Sequence, residues 1–262
     1  MRRSRVLEKL RTGQAVSSVK LNLDNARVAE IAALAGIDCL WLDLEHVASD
    51  WSVLEAQILA AKVYDVDVMV RVARGSYSDL VRPLELDATG IMVPHVMSLE
   101  DARAVVHLTR FQPLGRRPLD SGNADGAYGQ TNLKDYLRQA NDERFLMLQI
   151  EDPEPLPELD AIAALPGVDI LFFGPGDFAH ALGAPGDWKN PKLIEARQSV
   201  VEAARAHGKF AGTTAAIASP GELLAQGYRF LGIGADVIGL GTYFRKLAAD
   251  FASLEPDGGA KR

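Results

Sequence analysis

Eight short apolar runs recur along this chain, and their alternation with longer amphipathic stretches limits its fold more than any other feature. They span Ala15–Leu21, Cys39–Leu44, Val68–Val72, Gly90–Pro94, Phe145–Ile150, Asp169–Phe173, Lys209–Thr213 and Phe230–Gly234. Their length and their β-branched and aromatic content suit buried parallel strands. Helical patterns lie between them. Asn25–Ala35 repeats Val28, Ile31, Ala32 and Ala35 on one face. Trp51–Tyr64 follows a capping Ser49-Asp50, and Ser98 with Asp101 opens Leu99–Thr109. Pro191–His207, Pro220–Gln226 and Val237–Phe251 complete the later units. Repeated β-then-α units predict an α/β chain folded as a single (β/α)8 TIM barrel. Such barrels take about 250 residues, so 262 residues read as one domain, 1–262.

An open doubly wound sheet would carry a glycine-rich phosphate turn after its first strand. Here Leu21 runs into Asn22-Leu23-Asp24-Asn25. The later Gly232-Ile233-Gly234-Ala235-Asp236-Val237 puts valine where the third glycine of a dinucleotide fingerprint belongs. One connection, about 111–141, is long and glycine-rich with a short helical pattern near Leu133–Gln139; it reads as a lid or as a surface excursion. The tail, about 255–262, is polar and expected to fray.

The formal net charge of −7, without a basic stripe, argues against nucleic acid and anionic membranes as partners. Met1-Arg2-Arg3-Ser4-Arg5 resembles the start of a signal peptide, but Val6-Leu7 leads directly into Glu8-Lys9, so no apolar core follows. The single cysteine, Cys39, sits in an apolar run and reads as an inert core residue. A cytoplasmic protein is expected.

Functional side chains of such barrels gather at the C-terminal ends of the strands. Those ends read Asp43-Leu44-Glu45-His46, Val70-Arg71, Val93-Pro94-His95, Gln149-Ile150-Glu151-Asp152 and Gly174-Pro175-Gly176-Asp177. Each has a plain structural reading. Asp43 caps a helix, His46 is a surface residue, Arg71 serves an ion pair, and the last two segments are turns. Five polar ends at one rim, however, call for a ligand, because charges at an apolar mouth are costly to desolvate unpaired. Glu151 and Asp177 are hard oxygen donors on neighbouring strands, without cysteine or histidine at zinc spacing. They suit Mg²⁺, Mn²⁺ or Co²⁺, with water and substrate completing the shell. A 2-oxo acid can chelate such an ion, which then stabilises the enolate left when the adjacent carbon loses a substituent. Schiff-base chemistry needs a desolvated lysine in the pocket. Lys20 lies near the first run and Lys209 opens rather than closes the seventh, so no lysine is expected to serve.

Trp41-Leu42-Asp43-Leu44-Glu45-His46, Met69-Val70-Arg71, Gly90-Ile91-Met92-Val93-Pro94, Leu148-Gln149-Ile150-Glu151 and Gly174-Pro175-Gly176-Asp177-Phe178 together resemble the HpcH/HpaI family of class II, metal-dependent pyruvate aldolases. The resemblance runs from about residue 5 to residue 250. It implies a barrel with a swapped terminal helix, usually assembled as a hexamer. It implies that Glu151 and Asp177 hold the metal, that His46 is the base oriented by Asp43, and that Arg71 meets the keto or enolate oxygen. The backbone of Gly176 and Asp177 would take the substrate carboxylate, Gln149 would sit beside the metal, and Glu45 would hold metal-bound water. Family members commonly carry an aspartate where this chain has Glu85, nine residues before Pro94, so Glu85 joins the set as an outer residue. Gly115-Arg116-Arg117-Pro118 and Gly212-Thr213-Thr214 also depart from the family pattern, on the side expected to receive the aldehyde.

The expected reaction is reversible cleavage of a 4-hydroxy-2-oxo acid to pyruvate and an aldehyde through a metal-bound enolate. A citramalyl- or malyl-CoA lyase, or another 2-oxo acid lyase on the same barrel, is the alternative; Arg116 and Arg117 are the basic pair that a CoA ester would use. A non-catalytic binding protein on this fold is a third reading.

Overall fold

In a computed structural model, which describes residues 1–254, β1 (Val16–Lys20), β2 (Cys39–Asp43), β3 (Asp67–Arg71), β4 (Gly90–Val93), β5 (Phe145–Ile150), β6 (Ile170–Phe173), β7 (Phe210–Thr214) and β8 (Phe230–Ala235) pair in parallel and in chain order to close a barrel. Each expected run is a strand, and every boundary agrees within one residue. The expected fraying of 255–262 falls outside the described residues.

The helices are α1 (Arg5–Arg11), α2 (Ala26–Leu34), α3 (Trp51–Val63), α4 (Tyr77–Glu85), α5 (Leu99–Thr109), α6 (Leu133–Glu143), α7 (Leu159–Ala163), α8 (Pro175–Ala181), α9 (Pro191–Ala206), α10 (Pro220–Gln226) and α11 (Asp236–Ala252). Asp50 caps α3 and Ser98 caps α5, each accepting from backbone amides of the first turn. The connection 111–141 holds a short 3-10 turn, Ala124–Gly126, and is tied down by a buried Arg117–Asp125 ion pair that Tyr136 joins through its hydroxyl.

Four helices lie where the sequence was not read as helical. The clearest is α1. Ser4 caps it, and Val6, Leu7 and Leu10 are fully buried with Val16, Met69, Met92 and Phe145. Asp67, the first residue of β3, accepts from the Ser4 hydroxyl and the Val6 amide, so α1 closes the end of the barrel where strands begin. The α2 face also differs from expectation. Ala29 and Ala33 are its buried residues, whereas Ile31 is 65% exposed. Of the expected face, Val28 and Ala32 pack against the same core, while Ile31 and Ala35 turn outward.

Strand periodicity builds the mouth. Successive side chains alternate between the barrel interior and the helix layer. Cys39, Trp41, Met69, Met92, Phe145, Met147, Ile170, Phe172 and Phe230 form one apolar cluster inside the barrel. Trp41 meets Phe172 edge-on at 5.6 Å, and Phe172 meets Phe230 at 6.3 Å. The next inward positions, one step toward the strand ends, are polar: Lys20, Asp43, Arg71, Gln149 and Thr214. An aromatic floor thus carries a charged top layer.

The helix α11 stands apart: none of its side chains is buried, and Ile238, Tyr243, Phe244, Leu247 and Phe251 are all exposed.

Candidate active site

One half of the mouth is an ion-pair lattice. Parallel pairing sets Asp43 beside Arg71. Arg71 donates from Nε to Asp43 Oδ1 at 3.0 Å and from an Nη to Oδ2 at 2.5 Å, and its other Nη lies 3.0 Å from Glu45. Lys20 adds its ammonium 2.6 Å from Asp43 Oδ2. Burial pushes the Asp43 carboxyl up, but hydrogen bonds and charges from Arg71 and Lys20 outweigh it and hold the group well below the usual carboxylate range. Burial likewise opposes the Arg71 charge, and Asp43 more than restores it. The guanidinium also lies 5.2 Å over the Trp41 ring.

The other half holds charge without a matching cation. Glu151 is 1% exposed, and burial with the nearby Asp177 and Glu45 raises its carboxyl to about 7, against the lowering influence of His95. Among the described residues, His95 is its one cationic partner within salt-bridge reach, at 3.8 Å. Its oxygens accept from the His95 amide at 2.9 Å and from the Gln149 side-chain amide. Packing here excludes any larger residue at 174: a Cβ on Gly174 would sit 2.6 Å from Glu151 Oε2. Gly176 and Asp177 occupy the exposed first turn of α8.

Among the described residues, no three His, Cys, Asp or Glu side chains converge to hold a metal by themselves. Glu151 and Asp177 still fit a divalent ion that keeps water and substrate as its other ligands. The donors are hard oxygens, and among the described residues Glu151 has only the His95 imidazole as a cationic partner within salt-bridge reach. Gln149 also leaves its carbonyl oxygen buried without a donor.

Residues 18–240 match the family described as HpcH/HpaI aldolase/citrate lyase. The chain belongs to that family. It is 34% identical over 258 residues to a hydroxypyruvate/pyruvate aldolase of Pseudomonas aeruginosa, covering 97% of this chain and 94% of the relative. It is 34% identical to a 2-keto-3-deoxy-L-rhamnonate aldolase of Klebsiella pneumoniae, over 86% of this chain and 85% of the relative. The crystal structure of an HpcH/HpaI aldolase from Desulfitobacterium hafniense DCB-2 superposes with a TM-score of 0.88 at 31% identity, covering 97% of this chain and 98% of that one. As a member of this aldolase family the chain is an enzyme, a carbon–carbon lyase.

Within the HpcH/HpaI barrel, Asp43, Glu45, His46, Arg71, Gln149, Glu151, Gly176 and Asp177 all lie at the mouth, where their strand ends place them. Three expectations change. Asp43 does not orient the His46 ring, because Arg71 and Lys20 occupy its carboxylate; it accepts the Glu45 and His46 amides and so fixes their backbone. The His46 side chain is 57% exposed and lies 3.6 Å from Glu45. Glu85 is not in this chain's mouth. It is the last residue of α4, which runs back to the start of β4, and there burial raises its carboxyl near Arg117 and Asp125. Lys20, which the sequence left out of the pocket, is in it.

His95 received no role from sequence. It stands just past β4 in the left-handed region, at φ 48, with Nδ1 2.8 Å from Asp152 and Nε2 3.7 Å from Glu45. Burial works against its charge, but Asp152, Glu151 and Glu45 outweigh this and raise its pKa. The one sequence signal was its place at a strand end after Val93-Pro94.

Proposed function

We propose that this chain is a divalent-cation-dependent aldolase that reversibly cleaves a 4-hydroxy-2-oxo acid to pyruvate and an aldehyde. The observation that carries the reading is the buried, cation-poor Glu151 beside Asp177, facing a rigidly held Arg71 across one mouth. The names of the relatives, pyruvate aldolase and 2-keto-3-deoxy-L-rhamnonate aldolase, support it. Glu151 and Asp177 would hold Mg²⁺, Mn²⁺ or Co²⁺, with Gln149 beside it. A bound cation would draw electrons from the keto group of the 2-oxo acid and offset negative charge developing there.

In cleavage, His46 takes the proton of the 4-hydroxyl. The C3–C4 bond breaks, C4 leaves as the aldehyde carbonyl, and the bonding pair stays on C3, delocalised toward the keto oxygen. C3 then takes up a proton to become the methyl of pyruvate. Arg71 faces the developing oxyanion; Asp43 and Glu45 fix its plane, so little reorganisation accompanies the charge. Backbone amides of Gly176 and Asp177 take the substrate carboxylate at the first turn of α8. General-base help from His46 is worth about 10²–10⁴-fold.

No helix of the described residues is long and apolar enough to cross a membrane. We read the chain as cytoplasmic, with one domain spanning 1–262. We read it also as a homo-oligomer, a hexamer by family resemblance, in which a second copy covers the apolar face of α11.

Exchange of pyruvate methyl protons with deuterated water needs no aldehyde and tests the reading directly. Exhaustive chelation should abolish exchange, and Mg²⁺, Mn²⁺ or Co²⁺ should restore it. Full exchange by protein verified as metal-free would overturn the reading.

A further inference from the structure

On the outside of the barrel a groove runs between α9 and the stretch from α10 to the start of β8. It joins two cavities, of about 480 and 490 Å³, that share Val201, Arg205 and Gln226. Lys209 and Arg229 line it and immediately precede β7 and β8. The groove therefore lies toward the end of the barrel where strands begin, away from the mouth.

Charge sets this groove apart. Arg197 and Arg205 line the first cavity, and Arg205, Lys209 and Arg229 line the second. Glu202 is the one carboxylate of the lining, and the Gln198 amide donates to it at 2.8 Å. Among the described residues none of these four cations has a carboxylate within salt-bridge reach, in a chain whose formal net charge is −7. Arg110, whose charge Lys209 feels, is by contrast matched by Asp169. Burial, with Arg110 behind it, lowers the Lys209 pKa against the pull of Asp169, so this ammonium is held at a cost. Like charges gathered without counter-ions repel, and a bound anion removes that repulsion.

The walls are also fixed in place. Arg229 donates from one Nη to the carbonyls of Leu224 and Tyr228, at 2.9 and 2.7 Å, which leaves Nε and the other Nη without a protein acceptor among the described residues. Tyr228 is fully buried, and its hydroxyl donates to the Arg197 carbonyl at 2.8 Å. Gly227 closes α10 in the left-handed region, at φ 108, and a Cβ there would stand 2.8 Å from Val201, so glycine lets α10 seat against α9.

We propose that this groove binds a small phosphate ester, with its phosphate at Arg205 between the flanking cations and its organic part against Val201, Phe210 and Leu224.

The ligand class follows from the donors. A phosphate monoester carries about −1.5 to −2 charge near neutral pH and three acceptor oxygens, which suits cations approaching from several directions. Guanidinium forks match phosphate geometry in particular. Val201, Phe210 and Leu224 give the second cavity an apolar side that inorganic phosphate alone would leave unused. Each cavity has the size of a small-molecule site.

Phenyl phosphate is the probe, titrated calorimetrically into the intact enzyme with its divalent cation and excess pyruvate, so that the mouth is occupied. Phenyl sulfate has the same shape and one charge at most. The wild type should bind phenyl phosphate saturably and more tightly than phenyl sulfate. Arg205→Gln, at the residue both cavities share, should weaken binding about 10–100-fold, the worth of a charge-assisted hydrogen bond. Arg197→Gln should weaken it less, and Glu202→Gln should tighten it by removing the one carboxylate. Arg205 and Glu202 are exposed positions of α9, and an unchanged Tm in each variant checks the fold. Should Arg205→Gln fold poorly, Arg197→Gln and the opposite sign in Glu202→Gln decide the matter. No saturable binding by the wild type, equal affinity for the two probes, or unchanged affinity in the folded arginine variants would overturn the proposal. Binding that appears only when pyruvate is left out would place the probe at the mouth and overturn it as well.

Discussion

The two halves of the barrel mouth differ in how their charges are met. On the β1–β3 side, Lys20, Asp43, Arg71 and Glu45 pair cation with anion. On the β5–β6 side, Glu151 lies beside Asp177 with only a histidine near, and its carboxyl rises to about 7. A lattice of matched charges keeps its shape without help. A buried carboxylate short of a counter-charge costs stability until a cation arrives. One half is therefore built to hold geometry, the other to take a ligand, and substitutions should separate the two by what they damage.

The largest effect expected is on the cation-poor side. Glu151→Gln should lower pyruvate proton exchange on the order of 10³-fold, as loss of key charge stabilisation at a reacting centre does. It should leave Tm unchanged or raise it, because a charge poorly tolerated in the fold is removed. Gln149 can turn its amide so that its unpartnered carbonyl oxygen accepts from the new side chain. A clear drop in Tm would show that Glu151 is a structural residue and erase the contrast. Next is Asp43→Asn on the matched side. It leaves two cations facing a neutral amide, and breaking a buried pair this way costs about 3–5 kcal/mol. Here Tm and denaturant midpoint should fall. An Asp43→Asn protein as stable as wild type would break the comparison from the other end. The smallest effect, and the one that sharpens it, is Arg71→Lys. Arg71 belongs to the lattice and, in the proposed mechanism, faces the substrate. A lysine keeps the charge but loses the planar fork that spans Asp43 and Glu45, so exchange should fall about 10²-fold with only a modest loss of Tm. Unchanged exchange per folded molecule would reduce Arg71 to a lattice member.

The barrel was legible because its signal is redundant. Each strand announces itself by composition, length and spacing, and an error at one leaves seven others. The mouth was legible for a related reason: in several strands the inward positions turn from apolar to polar at the strand's end, as from Trp41 to Asp43 and from Met69 to Arg71. Where residues were misread, the missing information was spatial. Lys20 sits between Val19 and Leu21, and only counting inward parity from Val16 and Ser18 puts it in the barrel. The Asp43 partner depends on strand register, which sets Arg71 beside it, while the family resemblance had given it His46. Glu85 was placed by counting back from Pro94, and a count cannot say that an intervening helix has carried the residue to the other end of the barrel. His95 adopts a left-handed backbone without the glycine or asparagine that usually signals it.

The exposed helix α11 has a consequence for how such a protein can be measured. It is 17 residues long, buries no side chain, and holds a row of aromatic and aliphatic groups in water. If a second copy covers that row, as proposed, folding and association are linked by mass action, and the free energy of the native state includes a term in the protein's own concentration. Dilution alone would lower its melting temperature, and two laboratories working at different concentrations would each report a correct and different value.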